Sequence, residues 1–335
     1  MRFPQWYWAS ASVAGSMFIL AWALAAEGGK PAVTTKWVAP RTEHGHPDFQ
    51  GAWTNATITP LERPSQYGDR LRLSEEEATV LERRRAEAVQ QAALPSDLQR
   101  DVARAGDGVG TYNEFWFDRG SKVATVNGEK RSSLIVDPKN GRVPPLQPER
   151  RAVAGGIPRS ARTTEGPEAR SLGERCLVFE QSATPPMLSV RYNNNYQIVQ
   201  TRDTVVIFAE MVHDARIVRL NGKHVPRSIR KWMGDSIGHF EGDTLVVETV
   251  QFHEQEDFRG AGPDRKTTER FTRVSADTLV YRVTIEDPLV LERSWTLEYP
   301  FHATHELIYE YACHEGNYAL PGILAGARAE EKEGK

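Results

Sequence analysis

His213 and Asp214 stand next to each other at the end of an apolar run. An imidazole titrates near neutral pH and can remove a proton from a substrate, while a neighbouring carboxylate can orient that imidazole. The alternating apolar residues at 205–211 predict a β-strand. If this alternation continues, His213 lies on the face of the apolar side chains and Asp214 on the opposite face. The alternative is a structural histidine that bonds to a loop carbonyl.

Tyr192 and three asparagines precede the next candidate strand upstream. A phenol beside several amides can stabilise a developing oxyanion, so we expect Tyr192 to act in catalysis. The amides are candidate substrate-binding groups for a hydroxyl-rich or phenolic ligand: Asn193, Asn194 and Asn195. Asparagine also tolerates left-handed backbone, and a purely structural turn is therefore the alternative.

A third group of candidates surrounds Asp235, which we expect to support acid–base chemistry. Further substrate-binding candidates are Arg216, Trp232 and His239. Residues 234–238 match the G-x-S-x-G pattern of a nucleophile elbow, but that elbow requires a strand before it and a helix after it. Here the predicted context is strand–turn–strand, which disfavours a serine hydrolase.

The chain contains two cysteines, Cys176 and Cys313. In an oxidising compartment such a pair usually forms a disulfide. This bond would close a loop of about 137 residues and contribute roughly 4–5 kcal/mol in the chain-entropy model. The alternative is that Cys313, followed by His314 and Glu315, is a nucleophile or a metal ligand. No zinc signature and no phosphate-binding loop is present, so neither a metal site nor a cofactor is predicted.

Residues 1–26 have the features of a signal peptide: Arg2, an uncharged apolar run at 9–25, and a small-x-small pattern at 23–25. An uncleaved N-terminal anchor is the alternative. Both predict a periplasmic or secreted protein that contacts a membrane only through this segment. The full chain of 335 residues has 42 basic and 45 acidic side chains, a balance that argues against nucleic-acid binding. A small-molecule substrate or ligand is therefore the expected partner.

An Asp-Thr pair recurs at 203–204, 243–244 and 277–278, each time after a short polar turn and before a β-rich run. These units predict three hairpins, and further strands are predicted at 216–220, 295–301 and 307–313. Such strands form an antiparallel meander that closes into a lipocalin- or calycin-like barrel, because closure removes exposed edges. A two-sheet sandwich is the alternative.

The expected organisation is a wrapping region at 27–175, a barrel at 176–326 and a charged, frayed tail at 327–335. The wrapping region contains one peripheral helix, which begins at the capping box of Ser74 and Glu77, and a long loop at 143–175.

Several motifs occur together in this chain: PDFQGAW at 47–53, YNNNYQI at 192–198, HDAR at 213–216, WMGDS at 232–236, EGDTLVV at 241–247 and YACHEGNY at 311–318. In this combination the chain resembles a family of secreted, β-rich bacterial proteins. The resemblance implies an association with cofactor-independent lyases that cleave lignin-derived aromatic dimers, and it assigns a role to no residue.

These features predict a cofactor-independent acid–base enzyme, a lyase for a bulky and phenolic small molecule. In this hypothesis His213 removes a proton from the substrate, and Asp214 or Asp235 orients the His213 imidazole. Tyr192 and Asn194 stabilise the oxyanion that develops. The alternatives are a non-catalytic, lipocalin-like carrier of a hydrophobic ligand and a metal-assisted hydrolase.

Overall fold

The computed structural model describes residues 37–94, 117–150, 164–179, 183–256 and 258–334. The predicted signal peptide or anchor at 1–26 lies outside these residues, and so does part of the predicted long loop. Among the described residues, no helix is both long enough and apolar enough to cross a membrane.

Twelve strands occur within the described residues. They are β1 (Gly51–Thr54), β2 (Thr125–Val126), β3 (Glu129–Lys130), β4 (Ile135–Asp137), β5 (Asn195–Gln200), β6 (Thr204–Ala209), β7 (Ala215–Leu220), β8 (Asp235–Glu241), β9 (Thr244–Val250), β10 (Lys266–Arg273), β11 (Thr278–Glu286) and β12 (Trp295–Ala303). Nine of them, β1 and β5 to β12, form a closed barrel, because β1 pairs with β5 on one side and with β12 on the other. The predicted barrel-like fold is therefore confirmed.

The core of the barrel follows from the two-residue period of its strands. In β11, every second side chain is fully buried: Leu279, Tyr281, Val283 and Ile285. The same alternation continues through β12, where Trp295, Leu297, Tyr299 and Phe301 face inward. Residues 183–188, which precede β5, also pack against these inward-facing side chains, and Met187 is fully buried among them. The barrel interior is thus filled by side chains.

Three hairpins form where the Asp-Thr units predicted them, namely β5–β6, β8–β9 and β10–β11. The prediction of a wholly antiparallel meander is wrong at one place, because β7 and β8 are parallel, with Val218 opposite Ser236. Asn221 follows β7 and has a left-handed φ of 53°. It begins a long connection at 221–234, which leads to β8, and does not form a hairpin. Parallel neighbours need such a crossover.

The predicted strand at 307–313 does not form. Residues 304–318, which we call the strap, have no regular secondary structure. The reason lies in the closure of the barrel: the last residue of β12, Ala303, already pairs with Trp53 of β1, so no free edge remains for a further strand.

Two helices of more than ten residues lie outside the barrel in the described part of the chain. The predicted helix is confirmed as α1 (Glu75–Ala92), with both capping-box hydrogen bonds between Ser74 and Glu77 present. The expected frayed tail is wrong, since α2 (Ala319–Lys332) includes most of it. Eight of the fourteen residues of α2 are alanine, leucine or glutamate, which are strong helix formers, and its proline lies in the first turn, where proline is tolerated.

The barrel also begins earlier in the chain than residue 176, the predicted boundary. The region assigned to wrapping supplies β1, which closes the barrel, and β4, which pairs with β12. A four-residue strand such as β1 is too short to be recognised by its pattern alone.

Candidate functional site

The turn that carries His213 and Asp214 begins where β6 ends, at Ala209. Val212 and His213 have left-handed φ values of 64° and 58°, although neither is glycine. Two such residues in succession interrupt the alternation of the strand, and for a β-branched valine this conformation is strained. The strand alternation that predicted opposite faces for His213 and Asp214 therefore ends before these residues, and both of them line the same cavity.

This cavity, which we call the disulfide cavity, has a volume of about 260 Å³ and is formed by three segments: 176–177, 212–214 and 310–315. Cys176 and Cys313 form the predicted disulfide, with their Cα atoms 5.8 Å apart. The bond joins the strap to the segment before the barrel. It thereby brings the side chains that flank Cys313 opposite the turn at 212–214.

Glu210 connects the turn to the strap. Its buried carboxylate accepts a hydrogen bond from the backbone amide of Tyr309, at 3.2 Å, and another from Nδ2 of Asn195, at 3.1 Å. The backbone amide of His213 donates to the carbonyl of Glu210, at 3.2 Å. At the far end of the strap, Asn317 donates to the carbonyl of Glu174, at 2.7 Å. These hydrogen bonds therefore connect the strap, which forms one wall of the cavity, to the turn at 212–214 and the segment around Cys176, which form the other.

His213 and Asp214 each have a buried polar atom without a hydrogen-bond partner in the described part of the chain, Nδ1 and Oδ2 respectively. The His213 ring stacks on Phe208, with centroids 5.1 Å apart. Burial raises the pKa of Asp214 from its usual 3.8 to about 6. A carboxyl that titrates near pH 6 can act as a general acid under mildly acidic conditions.

Replacing Asp214 with asparagine should stabilise the protein in a pH-dependent way. Because the raised pKa means that the folded state favours the protonated carboxyl, the contribution of Asp214 to stability is complete below its usual pKa of 3.8 and is lost as the pH rises through about 6. Asp214→Asn should therefore raise the free energy of unfolding by on the order of 2 kcal/mol near pH 8, after allowance for partial exposure, and change it little near pH 4.

Urea denaturation at the two pH values measures this difference. Asp203→Asn, at an exposed turn, is the matched control and should show the same small effect at both pH values. An Asp214→Asn effect that does not change with pH would contradict the assignment of a buried, titrating carboxyl.

Asp235 does not line the disulfide cavity. It is fully buried on the outer side of β8, where its carboxylate accepts hydrogen bonds from Arg219 at 2.8 and 3.1 Å, Lys231 at 2.6 Å and His224 at 2.9 Å. Burial acts to raise the pKa of Asp235, but these hydrogen bonds outweigh it and lower the pKa. The cluster ties the 221–234 connection to the barrel. Next to it, the Ser236 hydroxyl pairs with that of Thr249, at 2.8 Å.

The three asparagines do not line the disulfide cavity. Asn193 has a left-handed φ of 57°. Buried Asn194 accepts a hydrogen bond from the amide of Val190, at 2.7 Å, and donates to the carbonyls of Val190 and Asp118. Asn195 reaches the cavity only indirectly, through Glu210. Tyr192 is half-buried and is not among the lining residues.

The other predicted binding residues are dispersed. Arg216 faces the barrel interior and forms a buried ion pair with Glu269. The Trp232 ring packs against that of His253, with centroids 3.7 Å apart, whereas exposed His239 bonds to Glu241 at 3.1 Å. Of the predicted site residues, the structure brings together His213, Asp214 and the two cysteines. The roles of the remaining residues stay predictions.

Four polar lining residues were not proposed from the sequence as parts of this site: Glu310, Tyr311, His314 and Glu315. All belong to or adjoin the YACHEGNY motif around Cys313, and the predicted disulfide was the signal that could have connected them to the rest of the cavity. Among the described residues, no group of three or more histidine, cysteine, aspartate or glutamate side chains is placed to hold a metal ion.

The sequence matches no protein-family model and no curated protein. The geometry of the cavities is consequently the guide to function. A larger one, of about 420 Å³, lies beside Leu146 and Leu289. Its carboxylates already have partners, since Asp287 accepts from the amide of Gly262 at 2.7 Å and Asp264 pairs with Arg230 at 2.6 Å. The disulfide cavity is therefore the better candidate for acid–base chemistry.

Proposed function

We propose that this protein is a periplasmic or secreted lyase that needs no cofactor and that acts on a phenolic small molecule by acid–base catalysis. The observation that carries the proposal is the disulfide cavity, where His213 and the titrating Asp214 meet two further carboxyl groups and a second imidazole. Convergence of titratable groups with a shifted pKa in one cavity is typical of catalytic sites.

His213 is the base and Asp214 the acid in the proposed reaction. His213 takes the proton of a substrate hydroxyl, and the electron pair of that O–H bond forms a carbonyl. The neighbouring carbon–carbon bond breaks, and its electron pair stays on the leaving carbon, which takes the proton of Asp214. The catalyst is restored when His213 loses its proton to solvent and Asp214 regains one. No electron acceptor is required.

The size of the cavity limits what enters it. A volume of about 260 Å³ is smaller than the roughly 300–1,000 Å³ of pockets that enclose drug-sized ligands. One ring of an aromatic dimer, with the adjacent hydroxyl-bearing carbon, is therefore the portion that would enter, and the second ring would remain outside.

A carrier with its ligand inside the barrel has less support. Inward-facing side chains and residues 183–188 form one continuous core cluster there. The charged groups in the interior, Arg216 and Glu269, bond to each other. Extracytoplasmic localisation is supported by the disulfide, because such bonds persist in oxidising compartments.

His213→Ala should reduce turnover about a hundredfold, since a positioned general base typically contributes that much or more. The substrates for this test are phenolic dimers whose rings are joined by a hydroxyl-bearing two-carbon chain, and chromatography with mass detection measures the released monomers. Added imidazole should partly restore the activity of His213→Ala by occupying the vacated space.

The matched control is His305→Ala, which removes an exposed imidazole from the strap outside the cavity lining and should retain activity. Full activity of a correctly folded His213→Ala would exclude His213 as the base. A wild-type protein that releases no monomer between about pH 5 and about pH 7 would refute the lyase function.

A further inference from the structure

The disulfide cavity has an uneven distribution of charged side chains. Its lining includes three carboxyl groups, those of Asp214, Glu310 and Glu315, and two imidazoles, those of His213 and His314. Among the described residues, neither a lysine nor an arginine lines this cavity. With the three carboxyl groups ionised and both imidazoles protonated, the lining still carries one net negative charge, and with neutral imidazoles it carries three.

The two walls of the cavity contribute to this charge in different ways. Asp214 lies on the inner wall, with its Oδ2 atom buried and without a partner in the described part of the chain. Glu310 and Glu315 are exposed side chains of the strap, at the opposite wall. A ligand that enters between the walls therefore meets negative charge on both sides, in a partly enclosed site where charge interactions exceed those in bulk water.

The side chains of the lining also define the hydrogen bonds that a ligand can make. The carboxylate of an ionised Asp214 accepts a hydrogen bond, and the imidazole of His213 donates or accepts one, depending on its proton. A hydroxyl or an ammonium group satisfies the carboxylate by donating to it. A ligand carboxylate has no proton to donate near neutral pH, and the negative charge of a carboxylate or a phosphate is repelled by the carboxyl groups.

We propose that the disulfide cavity selects for cationic and uncharged hydroxyl-bearing ligands and against carboxylates and phosphates. This inference rests on the proposed function of the same site and narrows its substrate class. The end of the substrate that enters the cavity is an alcohol, a phenol or an amine, and aromatic acids are excluded.

Three phenols of nearly the same shape test the selectivity: tyramine, which is cationic, tyrosol, which is uncharged, and 4-hydroxyphenylacetate, which is anionic. Isothermal titration calorimetry on the full chain near pH 7 measures their dissociation constants. The dissociation constant of tyramine should be lower than that of 4-hydroxyphenylacetate by a factor of about ten or more, and that of tyrosol should lie between the two. Added salt should reduce this ratio, because the strap carboxylates are exposed to solvent.

The double variant Glu310→Gln/Glu315→Gln should reduce the preference for tyramine to about threefold or less. Both side chains are exposed, so their replacement should not impair folding. The matched control, Glu75→Gln/Glu87→Gln, makes the same change in net charge on α1, outside the cavity lining, and should keep the wild-type ratio.

The binding experiment separates this inference from the proposed catalysis. Three results would each overturn the proposed selectivity. They are tight binding of 4-hydroxyphenylacetate, binding of none of the three phenols, and an unchanged ratio of the dissociation constants in Glu310→Gln/Glu315→Gln. If the selectivity is observed and His213→Ala retains full turnover, the assignment of the base fails while the ligand class stands.

Discussion

Arg216→Met should lower the free energy of unfolding by about 3–5 kcal/mol, because it leaves a buried carboxylate without its counter-charge. Arg216 and Glu269 are almost completely buried in the barrel, and their side chains form two hydrogen bonds of 2.6 and 2.9 Å. After the substitution, the hydrogen bond from the Tyr281 hydroxyl, at 2.9 Å, is the one that Glu269 would keep among the described side chains.

The ion pair belongs to a larger polar network inside the barrel. Burial would lower the pKa of Arg216, but the charge and hydrogen bonds of Glu269, with smaller effects of two tyrosines, outweigh it and raise the pKa. Met187 connects this pair to the segment that enters the barrel: its sulfur lies 3.4 Å from Nη2 of Arg216, and its carbonyl accepts from the Tyr299 hydroxyl. The loss of Arg216 therefore also disturbs the packing of that segment.

Urea denaturation of Arg216→Met measures the effect, and Arg270→Met is its matched control. Arg270 neighbours Glu269 on β10 and pairs with Glu241 at 2.6 Å, but both members of that pair are exposed, so its loss should cost less than about 1 kcal/mol. The double variant Arg216→Met/Glu269→Leu should regain most of the lost stability, because it buries no charge. A single variant as stable as the wild type would show that Glu269 finds another partner.

Replacing both cysteines with serine should lower the free energy of unfolding by roughly 4–5 kcal/mol in the chain-entropy model, since the bond spans 137 residues. The effect on the cavity should be larger than the effect on the barrel. The barrel closes through β1 and does not depend on the strap, whereas the strap has no regular secondary structure. The double variant should therefore lose tyramine binding at temperatures where the barrel is still folded.

Calorimetric titration with tyramine and urea denaturation, on the same samples, measure the two effects. Because Cys176 is buried, a Cys176→Ala/Cys313→Ala variant is needed to separate the loss of the bond from the burial of a hydroxyl group. Reduction of the wild-type protein should reproduce the loss of binding. If the cysteine-free variants bind tyramine as the wild type does, the disulfide does not position the strap.

Much of the fold followed from local patterns. The alternation in β11 predicts a strand with one buried face, and the Asp-Thr turns before β6, β9 and β11 predict hairpins because turn chemistry acts over a few residues. The cap of α1 is equally local. The same kind of pattern predicts a strand at 307–313 of the strap, and this strand does not form. A β-prone segment forms a strand only where a sheet edge is free, and β1 occupies that edge.

Local patterns predicted less of the candidate site. His213 and Asp214 attracted attention by their types, but their shared face depends on the left-handed backbone at Val212 and His213, which strand periodicity does not predict. Asp235 was predicted to be catalytic because its ion-pair partners cannot be recognised from the sequence. Its partners Arg219, His224 and Lys231 come together only through the parallel crossover, and they hold it in an ion-pair cluster instead.

The barrel class, the hairpins, the first helix and the pairing of the two cysteines follow from the amino-acid sequence, since each depends on short-range patterns or on simple pairing. Which residues share the cavity depends on the folded chain. Glu310, His314 and Glu315 lie about a hundred positions from His213 in the chain, and the disulfide and Glu210 bring them opposite it. Contacts at such separations depend on chain closure and packing, for which a sequence pattern carries no local signal.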